Sequence, residues 1–214
     1  MDGNHIKKVK SSKHEFLFSF HCKSEEKLEW NDCESTKNDL TLIVSDCRFT
    51  VNRELLSRKS DYFNAMLQNF WAEGEQTEIA IEQVSSKLFS IVVNSFTEDV
   101  VRVSSCLNIL EIYDLIHLYQ RLMFTPPAEV LIKNLFNILD IYGWDRVWQL
   151  FDVVATSDDD EITNVCLKWI ERNHQNWPQF RTPFALKYFR QMSLEAIKKL
   201  LDYNSDIPED FFLM

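Results

Sequence analysis

The sequence predicts an α+β protein in which a small sheet from the amino-terminal half is followed by a long run of helices. Three observations carry this. Leu40, Leu42 and Val44 alternate with Thr41, Ile43 and Ser45 in the period-two pattern of a strand with one buried face. After Ser85 the apolar residues recur instead at helical spacing. The 214-residue chain is also 45% hydrophobic and 13% aromatic, enough to close a core around both patterns.

Taken in order, Glu15-Phe16-Leu17-Phe18-Ser19-Phe20 alternates like a strand, whereas Lys23 to Lys37 is mostly polar. After the strand at Leu40–Val44, a turn at Ser45-Asp46-Cys47 leads into Arg48-Phe49-Thr50-Val51, which completes a hairpin. Ser60 can cap a helix whose Phe63, Met66 and Leu67 share one face. Thr77-Glu78-Ile79-Ala80-Ile81 reads as the third strand of this set.

Leu88, Ile91, Val92 and Ser95 then mark one helix, and Ile109, Ile112, Tyr113, Ile116 and Tyr119 mark another, with a short strand at Val100 to Val103 between them. Pro126-Pro127 suits the first turn of a further helix, where a missing N–H costs nothing, and Leu131, Leu135 and Ile138 give it an apolar stripe. Trp144, Val147, Trp148 and Phe151 follow, then Ile162, Val165, Cys166, Trp169 and Ile170. The acidic run Asp158-Asp159-Asp160-Glu161 stands ahead of that last stripe, where carboxylates favour the positive end of a helix, so it is read as helix initiation and not as a metal site. A final amphipathic segment holds Leu194, Ile197, Leu200 and Leu201.

Charge and composition exclude several classes. A formal net charge of −10 argues against a nucleic-acid face, which needs clustered Lys and Arg. No apolar run approaches the ~18 residues of a membrane span, and the amino terminus has no apolar signal core. Five cysteines, none in C-x-x-C spacing, suit a reducing compartment, so the chain is expected to be soluble and cytoplasmic. Residues 1–14 carry Lys7, Lys8, Lys10 and Lys13 and are expected to lack fixed structure; Lys7-Lys8-Val9-Lys10 also fits the loose pattern of a nuclear import signal, which would add the nucleus.

Chemical sites are hard to assemble. Only Gly3, Gly74 and Gly143 exist, too few for a phosphate-cradling glycine loop, so no nucleotide cofactor is expected. His14, His21, Cys22 and Cys33 match no common zinc spacing, and His117 beside an apolar stripe reads as a structural histidine. No nucleophile elbow is visible, and the chain is read as non-enzymatic, without catalytic residues or metal.

The most informative stretch is Tyr62 to Glu73, a helix running into a connection that ends in the apolar-x-acidic triplet Trp71-Ala72-Glu73. Around it the order of elements and the residues resemble the BTB/POZ family. Asp39-Leu40-Thr41-Leu42-Ile43-Val44 is similar to the family's D-V-T-L-V-V strand. Phe49-x-x-x-Arg53-x-x-Leu56-x-x-x-Ser60-x-Tyr62-Phe63-x-Ala65-Met66 follows its F-x-x-H-R-x-x-L-x-x-x-S-x-Y-F-x-A-M, departing at Asn52, where the family has His and a short polar side chain can still bond locally. Ser95-Phe96-Thr97-Glu98 departs from the family's Tyr-Thr-Gly ending. Further on, Cys166 to Asn173 resembles the F-I-x-x-N-F helix of a BACK domain, and Phe189 to Leu201 its L-S-x-E-x-L-x-x-L-L segment, with less than a full BACK domain present.

The resemblance implies a division into an amino-terminal extension at 1–35, a BTB/POZ domain at 36–140 and a BACK-like helical region at 141–214. It also implies docking to the amino-terminal domain of cullin-3 through Phe70, Trp71 and Glu73, which occupy the place of the family's apolar-x-Glu motif. An exposed Trp can bury about 150–250 Å2 in a partner's groove, while the carboxylate fixes register. The implied role is a substrate adaptor of a cullin-3 ubiquitin ligase, without kelch, MATH or zinc-finger module and with its protein substrate unidentified. The alternatives are a BTB homodimer or heterodimer acting as a scaffold or transcriptional co-regulator, and a regulator that occupies cullin-3 without a substrate.

Overall fold

The computed structural model describes residues 15–19, 38–68, 76–98, 100–104, 107–157, 159–173 and 190–203. Two compact units divide the chain, residues 1–131 and 132–214. Among the described residues of the first, five strands form two sheets. Strand β1 (Glu15–Ser19) pairs antiparallel with β5 (Val100–Ser104), Glu15 facing Ser104 and Ser19 facing Val100. In the other sheet β2 (Leu40–Val44) is central, antiparallel to β3 (Cys47–Val51) and parallel to β4 (Glu78–Ile81).

The period-two reading of β2 holds: Leu40, Leu42 and Val44 are buried, and Ile79 and Ile81 of β4 are buried beside them in register. Thr41 and Ile43 are only half-buried, as expected of the opposite face. Ser45, in the two-residue turn to β3, takes a φ of 52°, the left-handed region that L residues rarely enter.

Helices α1 (Arg53–Lys59) and α2 (Asp61–Met66) follow. The short α1, with only Leu56 buried, has too little apolar periodicity to be seen in sequence; what starts it is Asn52, whose side chain accepts from the Leu55 N–H at 2.8 Å. The departure from the family's histidine therefore leaves the cap in place. Ser60 ends α1 and caps α2, its Oγ accepting from the Phe63 N–H at 3.2 Å and donating to the Leu122 carbonyl.

Helix α3 (Ser86–Glu98) buries Leu88, Phe89, Val92, Ser95 and Phe96, while Ile91 is half-buried. Phe96 lies between Phe63, edge-on at 6.1 Å, and Phe124, stacked at 4.6 Å. Helix α4 (Ile109–Arg121) opens on a capping box in which Asn108 accepts from the Glu111 N–H at 2.9 Å and Glu111 accepts from the Asn108 N–H at 2.8 Å. Its buried Tyr119 donates to Ser95 Oγ at 3.0 Å, and burial pushes the phenol well above its ordinary range.

Helix α5 (Thr125–Tyr142) contains the division between the units and has Pro126 and Pro127 in its first turn. The regular elements described in the second unit are all helices. Helix α6 (Trp144–Thr156) starts at Gly143, whose φ of 70° suits a residue without Cβ. Helix α7 (Asp160–Asn173) is capped by Asp159, which accepts from the Ile162 N–H at 3.1 Å, giving part of the acidic run the initiating role read in sequence. Helix α8 (Leu194–Tyr203) departs from its sequence reading, because Ala196 and Leu200 are buried while Leu194 is 61% and Leu201 38% exposed.

Aromatic packing holds the second unit together. Trp144 stacks on Trp148 at 5.8 Å and meets Trp169 edge-on at 4.7 Å; the Trp169 indole donates to Asp140 at 2.7 Å, and Arg172 lies over the Phe136 ring at 5.1 Å. Among the described residues no helix is long and apolar enough to cross a membrane.

Candidate functional site: the connection between α2 and β4

The sequence-predicted docking residues Phe70, Trp71 and Glu73 lie outside the described residues, as do the basic arm and the His14, His21, Cys22 and Cys33 set. What the structure gives is the frame on either side of the docking segment. On the departing side α2 closes with the Leu67 N–H on the Phe63 carbonyl at 2.9 Å, and Leu67 is buried. On the returning side the Arg53 guanidinium donates to the Gln76 carbonyl, and the Thr41 N–H donates to the Thr77 carbonyl at 2.8 Å before β4 enters the sheet. The backbone of Arg53 is itself held, donating to the Asp39 carboxylate at 2.9 Å.

Both ends of residues 69–75 are therefore tied to secondary structure. Such placement suits a recognition element, since loops on rigid scaffolds carry much of protein binding. Asp39 and Arg53 are the residues that sequence reasoning missed. Both stand in the strings that carry the family resemblance, but nothing in their spacing says that one side chain holds the other's backbone across two elements.

A surface groove of about 510 Å3 runs between the turn after β4 and α4, lined by Gln83, Val84, Leu88, Asp114, His117 and Leu118. Partial burial raises the Asp114 pKa; the charge of Glu111 adds to this while His117 acts in the opposite sense. His117 is half-buried and edge-on to Tyr113 at 4.3 Å. Hydrogen bonding from Lys87, then from the Asn108 N–H, lowers the Glu111 carboxyl. Among the described residues no cluster of three or more His, Cys, Asp and Glu gathers to hold a metal. Cys47 is exposed; Cys166 is buried, and that burial pushes its thiol up, away from the reactive thiolate.

A small mixed sheet and a capped helix pair frame residues 69–75. Residues 30–134 match the BTB/POZ domain family, and the chain carries a BTB/POZ domain there. It is similar to BTB/POZ domain-containing protein 9 of Drosophila melanogaster, 26% identical over 135 residues, which are 63% of this chain; the chain spans only 18% of that relative's length. The structure is similar to the BTB (Tramtrack and Bric a brac) domain of human gigaxonin with a TM-score of 0.38 and 18% identity, covering 45% of this chain and 75% of that one. BTB/POZ domains are protein–protein interaction modules that mediate dimerisation and partner binding, and are generally not enzymes.

Proposed function

We propose that the chain is a substrate-adaptor subunit of a cullin-3 ubiquitin ligase, docking the cullin through Phe70, Trp71 and Glu73. The observation that carries this reading is the apolar-x-Glu triplet between α2 and β4 of a BTB/POZ domain, in a segment whose flanks are held by Arg53 and Thr41. Trp71 is the anchor and Glu73 sets the register, with hot-spot residues of this kind worth about 2 kcal/mol or more on truncation. Residues 141–214 act as a BACK-like region, and a protein substrate is brought near a charged E2 by proximity. The site of action is the cytoplasm, with the nucleus added if Lys7-Lys8-Val9-Lys10 serves as an import signal.

Size-exclusion chromatography with multi-angle light scattering, run on the chain alone and mixed with the cullin-3 amino-terminal domain, tests the reading. A stable mixed complex is expected. Self-association without any mixed complex would overturn it in favour of a BTB dimerisation scaffold.

A further inference from the structure

We propose that the groove between the turn after β4 and α4 binds an extended segment of another protein that carries an arginine, with the guanidinium seated on Asp114. The groove has a built frame. Lys87, in the first turn of α3, donates to Glu111 on α4 at 2.7 Å, and the Arg121 guanidinium donates to the Glu82 and Gln83 carbonyls at 3.0 and 3.3 Å. These two cross-ties join the walls. Along α4 they stand ten residues apart, about 15 Å, a length that takes about four residues of extended chain.

Gln83 shows that the wall opposite α4 is held in shape. Its φ of 57° lies in the left-handed region, where glutamine is uncommon, and the bond from Arg121 fixes its carbonyl there. The cavity of about 510 Å3 is thus formed before any guest arrives, which removes part of the ordering cost of binding.

Between the ties the groove offers one carboxylate beside an apolar floor, made by the buried Leu88 and Leu118. Lys87 and Glu111 pair with each other and Arg121 is engaged by carbonyls, whereas Asp114 has neither a hydrogen bond nor an ion pair among the described residues. A cation is the complement of that site. Arginine suits it better than lysine, because its planar fork can meet both carboxylate oxygens while its stem lies on the apolar floor. Partial burial raises the Asp114 pKa, and a guanidinium against the carboxylate acts in the opposite sense.

The test is a nuclear magnetic resonance titration of the isotope-labelled full chain with a capped tetrapeptide holding one arginine among alanine and leucine. The same peptide with neutral citrulline in place of arginine is run beside it. The expected result is saturable shifts at the amides of Gln83, Val84, His117 and Leu118, with the citrulline peptide binding about tenfold more weakly. Asp114→Asn should weaken the arginine peptide about tenfold and leave the citrulline peptide unchanged. Asp114 is exposed, so this variant should keep native circular dichroism. No saturable shift at the groove, or equal binding of the two peptides, would overturn the proposal. Arginine-peptide binding unchanged in a folded Asp114→Asn variant would overturn it too, showing attraction only to the net charge of −10.

Discussion

Two serines, one in each unit, show two different ways of tying a helix cap to the rest of its own unit. Ser60 in the first unit and Ser193 in the second both cap helices, accepting from the Phe63 N–H and the Ala196 N–H, each at 3.2 Å. Both also make a second link across the sequence. For Ser60 that link runs from the hydroxyl itself to the carbonyl of Leu122, 62 residues on, inside a core where Ser60 is 1% exposed. For Ser193 the link runs from the backbone N–H to the Asp152 carboxylate at 2.6 Å, at a partly buried position. One side chain does two jobs at Ser60, while at Ser193 the jobs are split between side chain and backbone.

This difference makes opposite demands on substitution. Ser60→Ala removes the α2 cap and leaves the Leu122 carbonyl without that donor in the core, so it should cost about 2–3 kcal/mol in urea unfolding. Asp152→Ala should come next, at about 1.5–2 kcal/mol, because a charged acceptor is lost from a partly buried backbone bond. Ser193→Ala keeps that bond and loses only the cap, costing about 0.5–1 kcal/mol. If Ser193→Ala proved as costly as Ser60→Ala, the contrast between the serines would fail.

Each unit also holds a buried ionisable group whose pKa burial raises, Cys166 in the second and Tyr119 in the first. A raised native pKa means that the unfolded chain releases the proton first as pH climbs, so stability is full below the unfolded value and falls above it. The thiol ordinarily titrates near 8.5 and the phenol near 10, so urea midpoints should fall in two stages, from about pH 8.5 and again from about pH 10. Cys166→Ala should flatten the first stage and Tyr119→Phe the second. A stage that survives its own substitution would show that another group causes it.

Legibility followed the range of the interactions. Strand β2, the hairpin, the caps at Ser60 and Asp159 and the helix opening at Pro126-Pro127 could be read because each is set by a few adjacent residues. The bond from Ser60 to Leu122 and the tie from Arg53 to Gln76 were hidden, because both depend on tertiary approach of distant segments. The α8 stripe misled for a related reason. Its apolar spacing names four candidates, but which of them is covered depends on the neighbouring helix, and Ala196 and Leu200 are buried while Leu194 is exposed. The proposed docking triplet lies outside the described residues and rests on its place in the family pattern, since an apolar-x-acidic triplet by itself is common.

Calorimetric titration of the chain with the amino-terminal domain of cullin-3, beside a Trp71→Ala/Glu73→Ala variant of native circular dichroism, tests the central claim most directly. Wild-type binding that weakens about 30-fold or more in the variant, equivalent to about 2 kcal/mol, is the expected result. Wild-type binding left unchanged by the variant, or no binding at all, would contradict it.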